Sequence, residues 1–140
     1  MLFRSDLSIL PVAIEELLRL ATPVMSFTRM ATKDTEIAGQ PVAEGDHILM
    51  VYASANRDER AFDDPDGLHL TRDPNDHVAF GAGGPHFCLG ANLARMEIRV
   101  MFEALMRRLP DMELAGSVQR LRSNFINGIK HMPVQFTPAK

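Results

Sequence analysis

Phe80-Gly81-Ala82-Gly83-Gly84-Pro85-His86-Phe87-Cys88-Leu89-Gly90 carries the chain's single cysteine among four glycines and a proline, immediately before an amphipathic stretch from Ala91 to Leu109. Glycines at this density reach backbone angles closed to other residues and let something flat or bulky approach the main chain. A cysteine just ahead of a helix meets unpaired N–H groups and the positive end of the helix dipole, both of which favour an anion. The sulfur is thereby pushed toward thiolate, the form that ligates metals. Backbone amides turned toward a metal-bound sulfur tune its electron density. The default for a lone intracellular cysteine is a small buried hydrophobe, so the surroundings of Cys88 must decide between the two.

Outward from the loop, the strongest helix runs from Ala91 to Leu109, with Asn92, Arg95, Arg99, Glu103 and Arg107 on a polar stripe and Ala94, Ile98, Met101 and Leu105 on an apolar one. Pro110 stops it. A first helix is predicted from about Pro11 to Leu20, because Pro11 suits a first turn and Ile14, Leu17 and Leu18 share a face. Pro23 ends it. Ala38-Gly39-Gln40-Pro41 predicts a hairpin turn, and Ile48-Leu49-Met50-Val51 has the apolar continuity of a buried strand. Asp63-Asp64-Pro65-Asp66-Gly67 reads as a surface turn, and Asn127-Gly128, between Phe125-Ile126 and Ile129, as a tight hairpin turn. A short strand around Val134 to Phe136 closes the chain. With no repeat or low-complexity tract, residues 1–140 read as one continuous unit.

Composition narrows the function. One cysteine excludes an internal disulfide and any multi-cysteine zinc or iron–sulfur site. A net charge of -3 gives no general attraction for nucleic acid or an anionic membrane. No apolar run approaches the roughly 20 residues that span a bilayer, and Met1 to Asp6 lacks the layout of a secretory signal, so the chain reads as cytoplasmic. His47, His69, His77 and His131 show no metal-ligand spacing and read as surface histidines.

The glycine-rich loop resembles the haem loop of the cytochrome P450 family, F-x-x-G-x-[HR]-x-C-x-G. Gly84 to Gly90 matches its second half without a gap. Phe80 stands one residue farther from the cysteine than the pattern asks, with Gly81 in the aromatic position, which reads as a one-residue insertion. Either Phe80 packs near the sulfur, or the loop bulges and Phe87 or another apolar group shields that face. A second signature lies upstream, Glu16-Leu17-Leu18-Arg19, similar to the family's E-x-x-R. Alone, such a pair on a helix is a solvated ion pair of little weight. In the family it is buried and joined by an arginine from the meander, a position that Arg72 in Leu68-His69-Leu70-Thr71-Arg72-Asp73-Pro74 matches. This company outweighs the default reading of Cys88.

The resemblance implies a mainly α fold with small antiparallel β hairpins (α+β), the C-terminal part of the cytochrome P450 fold. Residues 1–140 would be a partial domain, with the oxygen-activating helix and distal haem wall expected before the point matching Met1 and no turnover expected of this piece alone. It implies haem b (iron protoporphyrin IX) with Cys88 as axial ligand to the iron, Phe80, Gly81 and Gly90 beside it, and Arg29 and His86 as donors to the propionates. Glu16, Arg19 and Arg72 would form a structural triad, positional and not chemical. Val24, Met25 and Phe27, with Phe125 and Ile126, would line an apolar substrate chamber, although core packing explains the same residues. The stretch Leu121 to Lys130 looks similar to actinobacterial members that oxidise sterol side chains or branched lipids. The implied reaction is monooxygenation, with electrons from a ferredoxin-type donor and its NAD(P)H-dependent reductase; Arg95 and Arg99 are the candidate docking face, a solvated helix face being the simpler reading. Two other functions are weighed: a haem-binding remnant without turnover, and a cysteine hydrolase pairing Cys88 with His86. The hydrolase fails on geometry, since residues two apart on a glycine-rich loop rarely converge and no orienting group is evident.

Overall fold

The computed structural model describes residues 6–138, so the stretch read for a signal sequence lies, apart from Asp6, outside the described residues. Helix α1 spans Leu10–Ala21, after a short 3-10 turn at Leu7–Ile9. Pro11 sits in its first turn, where a missing N–H leaves no bond unmade. Leu10, Ala13, Ile14 and Leu18 form the buried face. The helix ends where Thr22 takes a left-handed backbone, φ 37°, its N–H donating to Leu18 O at 2.9 Å. That conformation is unfavourable for a residue with a Cβ. Two buried hydrogen bonds oppose the cost: Thr22 Oγ1 donates to Arg19 O at 2.7 Å and accepts from Asn56 Nδ2 at 3.0 Å.

Among the described residues the strands pair into four two-stranded antiparallel sheets. β1 (Ser26–Met30) pairs with β4 (His47–Val51), Ser26 opposite Val51 and Met30 opposite His47. β2 (Thr35–Ile37) and β3 (Gln40–Val42) form the tight hairpin between them, turning on Ala38 and Gly39, both with positive φ. The turn at Ala38 to Pro41 is thus present, but the strand expected beyond it belongs to another pair. Nor is β4 a buried strand: Ile48 and Met50 are half-buried, whereas Leu49 and Val51 are 59% and 44% exposed. It pairs on one edge only, and the side chains facing away from β1's neighbours meet no second layer.

After α2 (Tyr52–Ala55) the chain meanders without regular structure to α3 (Ala91–Arg108). α3 lays Ile98, Phe102 and Met106 against the α1 core, together with Leu70 and Phe80. The apolar stripe is therefore rotated from the one predicted: Phe102 and Met106 face inward, while Met101 is 58% exposed. β5 (Glu113–Leu114) pairs with β8 (Val134–Gln135), and β6 (Gln119–Arg120) with β7 (Ile129–His131). Asn127-Gly128 is not the tip of that last hairpin. The bend lies earlier, where Ser123 Oγ accepts from the N–H groups of Phe125 and Ile126 at 3.1 and 3.0 Å. Asn127 instead ties the loop to the end of α1, its N–H on Pro23 O at 2.9 Å and its Nδ2 on Ala21 O at 2.6 Å. Among the described residues no helix is long and apolar enough to cross a membrane.

Candidate functional site

The structure brings Glu16, Arg19 and Arg72 into one buried cluster. Arg19 is wholly inaccessible and uses every N–H of its guanidinium. Nε and Nη2 grip Glu16 Oε2 and Oε1 at 2.7 and 2.8 Å, Nη1 donates to Asn56 O and Pro65 O at 2.7 and 2.6 Å, and Nη2 also reaches Gly67 O at 3.1 Å. Arg72 Nε adds a bond to Glu16 Oε2 at 3.1 Å, and its Nη atoms hold Asp63 O and Asp64 O. The buried ring of Phe62 lies 5.0 Å from the Arg19 guanidinium and 5.8 Å from that of Arg72. The turn from Asp63 to Gly67 is thus the acceptor surface for buried Arg19 and part-buried Arg72. Asn56, also fully buried, carries the tie onward: its Oδ1 accepts from Val78 N at 2.8 Å, just before the cysteine loop.

Burial by itself raises the pKa of Glu16, but hydrogen bonds from Arg19, the His69 N–H and Arg72 outweigh it and hold the carboxyl down at about 2. A folded-state value below the unfolded one gives stability that is present above the ordinary carboxylate range and is lost as pH falls toward 2. The difference from the ordinary 4.5 corresponds to about 3 kcal/mol. The urea midpoint is therefore expected to fall steeply between about pH 5 and pH 2, and Glu16→Gln should remove most of that slope.

In the cysteine loop Gly81, Gly83 and Gly84 all have positive φ, 89°, 92° and 76°, conformations that only glycine holds without strain. The loop closes on itself through Gly81 N to Val78 O at 2.9 Å, Phe87 N to Gly84 O at 3.1 Å and Cys88 N to Phe80 O at 3.0 Å. Cys88 is exposed and stands two residues ahead of Gly90, the N-cap of α3. Gly90 has an ordinary φ of -84°, and a Cβ there would lie in ordinary van der Waals contact with Cys88 Sγ, 3.9 Å away. Phe80 packs on the α1 core, while Phe87 is 45% exposed.

Arg29, on β1, and His86, in the loop, line one cavity of about 460 Å³ with Tyr52, Val78, Gly81 and Pro85. A concavity of similar size, about 490 Å³, lies in the meander around Asp63, Arg72 and Asp73; its wall is the back of the arginine cluster, and no residue of the cysteine loop lines it. The two apolar segments also meet. Val24 and Ile126 form a β-bridge, Met25 N donates to Phe125 O at 2.8 Å, and the rings of Phe27 and Phe125 pack edge-on at 5.3 Å.

Arg95 and Arg99 do not offer a pair of free cations. Arg95 Nε and Nη2 grip Glu15 Oε1 and Oε2, both at 2.7 Å, and its guanidinium lies 4.6 Å from the centre of the Phe80 ring. Arg99 is paired to Glu103 at 2.9 Å. His77 is not a surface histidine: its side chain is 3% exposed and bonds Glu15 Oε2 at 2.9 Å. Glu15, Asn56 and His77 had no signal in the sequence, because the bonds that join them to the cluster, from Glu15 to His77 and Arg95 and from Asn56 to Thr22 and Val78, span more than 20 residues. Among the described residues no group of three or more His, Cys, Asp or Glu side chains could hold a metal ion.

Residues 1–122 match the family described as Cytochrome P450. The chain belongs to the cytochrome P450 family. Over 127 residues it is 50% identical to a methyl-branched lipid omega-hydroxylase of Mycobacterium tuberculosis and 46% identical to a steroid C26-monooxygenase of Mycolicibacterium smegmatis. Each match takes in 91% of this chain and 30% of the relative's length. A Mycobacterium marinum cytochrome P450 in complex with pseudoionone superposes with a TM-score of 0.92 at 46% identity, over 96% of this chain and 32% of that one.

Membership of the cytochrome P450 family implies a haem, and the residues present suit one. The exposed, unpaired sulfur of Cys88 is open to a metal held by a macrocycle. The cavity beside the loop offers a cation and an imidazole against an apolar wall, the chemistry a carboxylate-bearing, otherwise greasy cofactor needs.

Proposed function

We propose that this chain is the thiolate-bearing part of a haem-thiolate monooxygenase acting on an apolar substrate. The observation that carries the reading is the exposed sulfur of Cys88 on a glycine-built loop whose other residues share a cavity with Arg29 and His86. When bound, the haem supplies the redox chemistry of dioxygen, placing one oxygen atom in a substrate C–H bond while the other leaves as water. Cys88 would hold the haem iron through its sulfur, whose electron donation would favour that chemistry. Arg29 and His86 hold the propionates, Arg29 with a fork that matches a carboxylate.

Phe27 and Phe125, with Val24, Met25 and Ile126, form the apolar side that keeps water from the substrate. A sterol or a methyl-branched lipid is the substrate class, supported by the names of the relatives. Electrons come from a ferredoxin-type protein and its NAD(P)H-dependent reductase. Their docking face centres on Arg99 and the solvent side of α3 more than on Arg95: both arginines are ion-paired, but the Arg99 side chain is 59% exposed and that of Arg95 31%.

Titrating the chain with haem tests the reading. Arg29→Gln and His86→Gln are each expected to weaken haem binding about tenfold, the loss of one charge-assisted hydrogen bond, while the thiolate spectrum persists. Equal haem affinity in all three proteins would refute the assignment of the propionate site.

A further inference from the structure

We infer that Arg95 is a positioning residue for Cys88, gripping Phe80 so that the Phe80 carbonyl holds the cysteine backbone in place. The inference rests on the haem-thiolate reading only for the purpose of the positioning; the geometry itself is independent of haem. Its first element is a carboxylate on α1. Glu15 receives both Nε and Nη2 of Arg95, from α3, and Nε2 of His77, from the residues leading into the loop. The His77 ring is fixed in turn, since its Nδ1 accepts from Ala79 N at 3.2 Å. An accepting Nδ1 leaves Nε2 as the donor to Glu15 Oε2, the oxygen that Arg95 Nη2 also reaches.

Its second element is the flat face of the guanidinium. Arg95 sits over the Phe80 ring at 4.6 Å, with the His77 ring 6.3 Å away on a tilt. The other contacts of Phe80 are with the α1 core. A ring pressed between a guanidinium and a hydrophobic core has little freedom, and its own carbonyl accepts the Cys88 N–H at 3.0 Å. Helix α1, helix α3 and the ligand loop are thus joined through one arginine. Arg95 is also close enough to feel the sulfur: its pKa is pushed up first by Glu15, against the effect of burial, with a smaller contribution from Cys88.

A simple brace between two helices makes a different prediction from a positioning residue. In a brace, only the charge pair matters, and loss of Arg95 loosens α1 and α3 together. In the positioning role, the planar fork matters and the effect concentrates at the cysteine loop. Amide hydrogen exchange on the full chain without haem separates them. Arg95→Leu and the milder Arg95→Lys are both expected to speed exchange of the Cys88 amide by roughly tenfold, since lysine keeps the charge but has neither the fork nor the face. The amides of Ile14 and Phe102 should change little. Unchanged exchange at Cys88, an equal rise at all three amides, or full rescue by lysine overturns the inference. With haem added, the share of reduced, carbon-monoxide-bound protein showing the thiolate signature should drop in both variants. A wild-type chain lacking that signature refutes the haem-thiolate reading instead, and the exchange measurement still decides the role of Arg95.

Discussion

Replacing Arg19 with leucine is expected to cost the fold about 3–5 kcal/mol, read as a lowered urea midpoint, because it leaves the Glu16 carboxylate buried and short of partners. That is a large part of the roughly 5–15 kcal/mol available to a typical domain. The loss is not confined to one ion pair. Arg19 also satisfies the carbonyls of Asn56, Pro65 and Gly67, none of which has a substitute donor within the cluster's geometry once the guanidinium is gone. Arg19→Lys should cost nearly as much, since three donors on a tetrahedral head cannot replace five in a plane. A surface pair gives a different result: Arg60→Leu, which breaks the exposed contact to Asp58, should leave the midpoint nearly unchanged. The difference between those two variants measures how far the first helix and the meander are locked together by buried charge.

The lock also explains why the cysteine loop has a defined shape. Arg19 fixes the Asn56 carbonyl, the Asn56 side chain fixes Val78 N, and Val78 O receives Gly81 N at the entrance to the loop. Stability in the triad is thereby converted into geometry at Cys88. Loss of Arg19 should consequently disturb haem binding even where the variant remains folded.

Much of this was legible in the sequence because the signals are local. Pro11, Pro23 and Pro110 bound the two long helices to within a residue or two, and the loop glycines mark backbone that no other residue holds. Glu16 with Arg19 lies within one helical turn, and the resemblance supplied Arg72. What was missed is non-local or ambiguous in phase. β4 reads as a buried strand from its apolar run, but its burial depends on a neighbour that pairs only one edge. α3 has apolar residues on two faces, Ile98, Phe102 and Met106 on one and Leu93, Met96 and Val100 on the other, so periodicity alone does not say which faces the core. Asn127-Gly128 carries a strong turn signal, yet Ser123 makes the bend and Asn127 serves a distant helix end. Arg95 reads as a surface cation because its acceptor, Glu15, lies 80 residues earlier.

Cys88 gives the second large effect, and it is one of kind more than degree. The sulfur is exposed, free of any disulfide, and carried on a loop whose backbone is fixed at Phe80, Val78 and Gly84. Cys88→Ala removes no buried contact, so the fold should keep its urea midpoint to within about 0.5 kcal/mol, as for substitutions on the surface. Any change in haem spectrum in this variant therefore reports ligation and not unfolding. The decisive measurement is the absorption spectrum of the haem-loaded chain after reduction and exposure to carbon monoxide. A far red-shifted Soret band in the wild type that vanishes in a folded Cys88→Ala variant is the predicted result; a wild-type spectrum without that band, or one unchanged by the substitution, would contradict it.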